Sequence, residues 1–255
     1  MIRFFKHFVI FVTICVFTAC QKSTTSKIIG NNIPVTDSIK NDTAVESFVT
    51  PYRTNVNKTL DSALCYNPTN LFKKGTPLNT AIGNWMADET FEAVAPIFES
   101  RTGEKLDFVL LNYGGIRAGL NKGNLSARNA YEIMPFENMI SVIEINSANM
   151  QELIGFLAKS QRAHPISKQL NIAITKDGEV KKVLLNEKPL DTYKTFKIAT
   201  SDYLANLGDN MSFFKNPVKR TDLNYLIRNI FIDAFKKTDT IKTQYDNRFI
   251  YDIDE

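Results

Sequence analysis

The chain has 255 residues, 44% hydrophobic and 23% charged, which is ordinary for a soluble protein and sufficient for a substantial core. Its formal charge of +4 comes without any dense Lys/Arg block, so nucleic-acid binding has no electrostatic footprint. Only two histidines occur, His7 and His164, and that count excludes a histidine-rich metal site.

Residues 1–19 read as a signal peptide. Arg3, Lys6 and His7 make a basic start, 8–17 is a short apolar run, and Thr18-Ala19 are small. The apolar part is short for a membrane span. The segment before Cys20 resembles the lipobox of bacterial lipoproteins, with Phe17 where a leucine is most often found. The resemblance implies lipidation of Cys20, a membrane anchor, and an exported chain in the cell envelope, periplasmic or at the cell surface. An ordinary secretory signal with a chance cysteine is the alternative. With Cys15 in the signal and Cys20 at the junction, only Cys65 remains as a thiol, so no intramolecular disulfide is available. Stability must then come from the core.

Residues 20–45, rich in Ser, Thr, Asn and Lys, predict a tether. Apolar residues at near-helical spacing follow over 44–64, interrupted or bent at Pro51. A strong helix is predicted over 77–100, with Pro77 in its first turn and a stripe through Ile82, Trp85, Met86, Phe91, Val94, Ile97 and Phe98. "LDFVLLN" (106–112) reads as a strand, "NYGGIR" (112–117) as a glycine turn, and 126–134 as a short helix capped by Ser126. A β-branched strand is predicted at 139–145, a helix at 147–160, and a hairpin from 169–175 and 180–185. Residues 195–210 read as a strand running into a glycine-containing loop, 222–237 as an amphipathic helix, and 247–253 as a last strand. Alternating elements with no compositional break predict one mixed α/β (α+β) domain over 46–255, a mixed sheet flanked by helices.

No Asp-x-His or Asn-His-Asp run is present, and no nucleophile elbow. His164, in polar "QRAHPISK", reads as a solvated loop residue, and Cys65 as a core residue. Three patches remain. In "NYGGIR", Asn112 and Arg117 flank Gly114 and Gly115 at a strand's end, where open α/β folds bind ligands. A plain glycine turn with a surface arginine fits that stretch equally well. "MPFEN" (134–138) stiffens Phe136 behind Pro135, as a core residue or a platform. "SDYLANLGDN" (201–210) carries Tyr203 and Asp209, a core residue and a turn cap in the plainer reading. Taken together, two rings from separate loops could sandwich a planar base at roughly 1–3 kcal/mol per contact. Asp209 could accept from ribose hydroxyls, Arg117 could hold phosphate, and Asn112 could read a base or sugar edge.

At these positions the chain resembles the C-terminal, nucleotide-recognition domain of 5′-nucleotidases. The landmarks are "IGNWMADETF" (82–91), "NYGGIRAGLNKGNLSARNAYEIMPFEN" (112–138), "ATSDYLANLGD" (199–209) and "DNRFIYD" (246–252). The resemblance implies that Asn112 and Arg117 contact nucleoside and phosphate, Gly114 and Gly115 make the turn, Phe136 and Tyr203 stack on the base, and Asp209 binds ribose. Thr76 stands where animal members carry a further phosphate-binding arginine, Asn79 where a glutamate is usual, and Leu207-Gly208-Asp209-Asn210 where the family has Gly-Gly-Asp-Gly. Family enzymes place a dinuclear metallophosphoesterase domain before this one, and its ligands are missing from these 255 residues. The resemblance therefore implies a nucleoside or nucleotide ligand, no cofactor and no catalytic residue in this chain, and a divalent metal pair in a separately encoded partner. A nucleoside-binding surface lipoprotein and a degenerate interaction module are the alternatives.

Overall fold

A computed structural model describes residues 2–18, 27, 29–75, 78–190 and 194–252. Cys20, Thr76 and Pro77 lie outside the described residues, so the predicted lipidation site, the position where animal family members carry an arginine and the predicted first turn at Pro77 do too. The chain divides into two units, Met1–Val49 and Thr50–Glu255. The first contains α1 (Ile2–Thr18), which covers the predicted signal segment. Among the described residues no helix is long and apolar enough to cross a membrane. Helix α2 (Thr43–Leu60) starts at Asp42, whose carboxylate accepts from the backbone N–H groups of Ala44 and Val45 at 2.9 and 3.0 Å. It continues through Pro51 and exposes every face but a few half-buried positions. Residues 63–64, read with that helix from sequence, belong instead to strand β1 (Ala63–Asn67), which pairs antiparallel with β3 (Gly123–Ser126).

The centre of the second unit is a mixed four-stranded sheet. It contains β2 (Phe108–Val109), β4 (Met139–Asn146), β8 (Thr195–Ser201) and β9 (Lys219–Leu226), in the order β2-β8-β4-β9. Strands β2 and β8 are parallel, while β4 runs antiparallel to β8 and β9. Both faces are covered, which is why β4 reads as a continuous apolar run rather than an alternating one. Ile140 and Val142 pack towards α3 (Ala81–Thr102), α4 (Ala127–Ile133) and α7 (Ile227–Lys237). There the Trp85 ring lies 5.2 Å from Phe231 and stacks on Phe235 at 5.3 Å. Ile143 and Ile145 face the opposite core, built from α5 (Ser147–Ser160) and a second sheet. That sheet holds β5 (Leu170–Ile174), β6 (Val180–Leu185), β7 (Lys188–Pro189) and β10 (Phe249–Tyr251), ordered β10-β5-β6-β7. The predicted hairpin and the helix over 147–160 are present.

Three predicted elements have different limits. Helix α3 begins at Ala81, where the Thr80 hydroxyl accepts from the Gly83 N–H at 3.1 Å, and it ends at Gly103, whose φ of 75° suits a residue without a Cβ. The strand predicted at 106–112 is a regular strand only over Phe108–Val109; Leu110 adds a single antiparallel bridge to Ile166, and the Leu111 N–H donates to the Pro165 carbonyl at 2.8 Å. The helix predicted over 222–237 starts only at Ile227. Residues up to Leu226 pair with β4, with Leu223 buried, Asp222 and Asn224 exposed, and Asn224 in the left-handed region at φ 54° where the register shifts. Pairing with β4 satisfies backbone groups that a helix would satisfy internally, so tertiary context decides between them.

The start of α3 is fastened to the C-terminal segment through amides. Asn79, 2% exposed, donates to the carbonyls of Asp246 and Phe249 at 3.0 and 2.9 Å and accepts from Asn84 at 3.0 Å. Buried Arg248 directs all its donor nitrogens at Asp88, Asp246 and the Ile166 carbonyl over 2.6–3.0 Å. Asn79 and "DNRFIYD", quoted above for their family position, are therefore joints of the scaffold.

Candidate functional site

Strands β2 and β8 run parallel and β4 runs against them, so the C-terminal ends of the first two and the start of the third meet at one edge of the sheet. A cavity of about 600 Å³ opens there. Its wall includes Asn112, Gly114, Gly115 and Arg117 after β2, Phe136 before β4, and Tyr203 and Asp209 after β8. All seven residues singled out from sequence thus share one cavity. Leu111, Met134, Glu137, Asn138, Ser201 and Ile227 complete it; four of these lie in the patches "MPFEN" and "SDYLANLGDN", whereas Leu111 and Ile227 carry no polar or glycine signal in the sequence. Phe136 is 41% exposed and Tyr203 46%, so neither ring is a core residue.

After β2 the chain makes a 3-10 turn at Tyr113–Gly115. A Cβ on Gly115 would stand 2.6 Å from the Asn112 side-chain oxygen, closer than any Cβ tolerates. That glycine leaves room for the Asn112 amide, which donates through Nδ2 to Asp209 Oδ2 at 2.6 Å. The other carboxylate oxygen of Asp209 accepts from the Tyr203 hydroxyl at 2.9 Å, and the Asp209 N–H donates back to that hydroxyl at 3.2 Å. Asn112, Tyr203 and Asp209 are thus one hydrogen-bonded unit, and each Asp209 oxygen keeps lone-pair capacity for a further donor.

The loop carrying Asp209 is held by unusual backbone. Leu207, Asp209 and Asn210 take φ values of 69°, 52° and 59°. Non-glycine residues pay roughly 1–2 kcal/mol for this conformation, least for Asn and Asp. Gly208 allows close approach of the Tyr203 ring, since a Cβ there would lie 2.5 Å from two of its atoms. The loop sequence that departs from Gly-Gly-Asp-Gly therefore uses left-handed conformations at Leu207 and Asn210, two of the positions where the family has glycine.

Phe136 is positioned by Arg228, a residue of α7 that sequence reasoning passed over inside an amphipathic pattern. Its guanidinium, 4% exposed, donates to the Phe136 carbonyl at 3.3 Å and to Glu137 Oε1 at 2.5 Å, and covers the Tyr131 ring at 4.1 Å. Asn138 links the same segment to the Tyr203 loop by donating to Asp202 at 2.9 Å. Arg117 lies 5.7 Å from the Phe136 ring centroid, with no carboxylate in ion-pair distance among the described residues.

His164 is not a solvated loop residue: it is 4% exposed and supports the turn from behind, with Nδ1 accepting from the Tyr113 N–H at 3.3 Å. Burial lowers its pKa to about 4, against a smaller opposing pull from the Asp209 charge. Its place near Phe156, on α5, could not be read from its polar sequence neighbours. Cys65 is buried as expected, and burial pushes its thiol up to about 11. Among the described residues no three His, Cys, Asp or Glu side chains group closely enough to hold a metal ion.

Residues 69–216 match the sequence family described as 5′-nucleotidase, C-terminal domain. Among curated relatives, Protein UshA of Escherichia coli is 29% identical over 114 residues, which cover 43% of this chain and 20% of that protein. The trifunctional nucleotide phosphoesterase protein YfkN of Bacillus subtilis is 24% identical over 171 residues, covering 62% of this chain and 11% of that one. The matched segments thus span a fifth or less of the length of these two relatives. Among solved structures, the 5′-nucleotidase precursor of Thermus thermophilus aligns with a TM-score of 0.66 at 19% identity, over 82% of this chain and 43% of its own. The NAD nucleotidase of Haemophilus influenzae aligns at 0.55 and 17%, over 82% and 42%. At such identity these two establish the fold alone. With the family match spanning more than half of its length, the chain belongs to the 5′-nucleotidase C-terminal domain family, the nucleotide-binding part of 5′-nucleotidases.

Proposed function

We propose that this chain is the substrate-recognition half of a 5′-nucleotidase system, with hydrolysis supplied by a separately encoded metallophosphoesterase. Phe136 and Tyr203 clamp the base, Asp209 accepts from the ribose hydroxyls, Asn112 reads a base or sugar edge, and Arg117 faces the phosphate. The observation that carries this reading is convergence. Residues from three separate connections line one cavity, with both rings half-exposed and the acid already oriented by Asn112 and Tyr203. An acceptor held in place before binding loses little freedom when the ligand arrives. The chain's part in catalysis is to position the phosphate ester. A divalent metal pair in the partner would supply the activated water, and this chain alone releases no phosphate.

Thermal-shift measurements with adenosine and AMP test the binding. A ligand at 100 times its Kd adds about 2.7 kcal/mol to stability, so a Tm unmoved by every nucleoside and nucleotide sinks the reading. Mixing with an exported metallophosphoesterase that lacks this domain should give metal-dependent phosphate release that neither chain shows alone. A nucleoside-capturing lipoprotein without hydrolysis is a second reading, favoured by Thr76 where animal members carry an arginine. Its mark is equal affinity for adenosine and AMP. In either case residues 1–19 act as the export signal, Cys20 carries the lipid, and 20–45 tether the domain. Cys20→Ser should then move the chain from the membrane to the soluble fraction.

A further inference from the structure

Two carboxylates stand on the wall of the cavity, Asp209 and Glu137. Asp209 is engaged by Asn112 and Tyr203. Glu137 has no part in the reading above, yet it directly follows Phe136 in the chain and belongs to a different connection from Asp209. Its placement is fixed from below. Oε1 accepts from Arg228 Nη2 at 2.5 Å, and the same guanidinium donates to the Phe136 carbonyl at 3.3 Å and covers the Tyr131 ring at 4.1 Å. The Arg228 side chain is 5% exposed and that of Glu137 74%, so the pair reaches from the interior out to the cavity. Among the described residues no other carboxylate lies in ion-pair distance of Arg228. The buried arginine therefore ties the base platform and the carboxylate together, and leaves Oε2 for a further donor.

A carboxylate anchored beside a base platform discriminates by what the base edge offers. Its oxygens accept and give nothing back. Guanine presents two adjacent donors, N1–H and the N2 amine, which match the two oxygens. Adenine and cytosine set one amine beside a ring nitrogen whose lone pair would face the second oxygen, and uracil flanks its single N3–H with carbonyls. In those three, acceptor meets acceptor. We infer that Glu137, held by Arg228, is a specificity-determining residue that reads the edge of the base lying on Phe136, and that it gives the chain a preference for guanine nucleosides and nucleotides. The base clamp is the one proposed above; Glu137 adds the choice of base. A Glu137 that only neutralised Arg228 would act on every base alike, through Phe136, and that difference is measurable.

Calorimetric titration of the full chain and of its Glu137→Gln variant with guanosine, inosine and adenosine tests this. Inosine keeps the N1–H of guanosine and lacks the N2 amine. The wild-type chain should bind guanosine about tenfold more tightly than adenosine, a two-bond contact to a base edge being worth that much, with inosine between them. Glu137→Gln keeps an oxygen for Arg228 but turns the other into a donor. It should lose about tenfold for guanosine, while adenosine holds or gains. Retained adenosine affinity also certifies the fold. Wild-type chain that binds guanosine no more tightly than inosine and adenosine overturns the inference, and it does so without any variant. A parallel loss for all three ligands in Glu137→Gln also overturns it, since Glu137 then serves Arg228 alone. Binding without discrimination leaves the base clamp standing and removes only the choice of base. If no nucleoside binds wild-type chain, clamp and base choice fail together.

Discussion

Tyr203 carries two separable tasks, and a pair of substitutions separates them. Its ring lines the cavity, while its hydroxyl donates to Asp209 Oδ1 at 2.9 Å and accepts from the Asp209 N–H at 3.2 Å. Tyr203→Phe keeps the ring and removes both bonds. At 46% exposure water replaces part of what is lost, so the cost to binding is about 1 kcal/mol, or roughly fivefold in Kd. Tyr203→Ala removes the ring as well, adding roughly 1–3 kcal/mol of stacking, for a total loss of about 30- to 1,000-fold. Phe136→Ala forfeits the stacking contribution alone. Calorimetric titration with adenosine reads all three. Tyr203→Ala binding as tightly as wild type, or Tyr203→Phe as weakly as Tyr203→Ala, would refute the clamp.

Gly115→Ala places a methyl 2.6 Å from the Asn112 oxygen and should swing that amide off Asp209, weakening adenosine about tenfold and lowering Tm by only about 2–4 °C, read in the same titration and by calorimetric melting. His164 has a folded-state pKa of about 4 against an ordinary 6.5, so the unfolded chain binds more protons between those values and stability falls as pH drops through that window. The loss is about 3 kcal/mol. Urea unfolding at pH 7 and pH 4 should show it, and His164→Gln should flatten that part of the pH profile. At Leu207, with φ 69°, Leu207→Val should cost about 1 kcal/mol while Leu207→Gly costs nothing or stabilises, since only glycine takes this conformation freely; chemical denaturation distinguishes the two.

Local patterns specified local elements. Helical spacing over 147–160 and the two short apolar runs flanking "KDGE" produced α5 and the β5–β6 hairpin because neighbouring residues alone set those periods. The residues lining the cavity were legible in part, since "NYGGIR", "MPFEN" and "SDYLANLGDN" each set polar or aromatic side chains beside a turn; whether Phe136 and Tyr203 were core or wall was not. The tertiary structure alone decided what lies between distant segments. It brought Asn112 within 2.6 Å of Asp209 across 97 positions of chain, buried His164 under the turn, gave residues 222–226 to the sheet, and set Glu137 against Arg228. The physical reason is that periodicity reports only on a residue's neighbours within a few turns or pleats, whereas cavity walls, ion clusters and desolvated imidazoles arise where packed layers meet, at separations that no local pattern records.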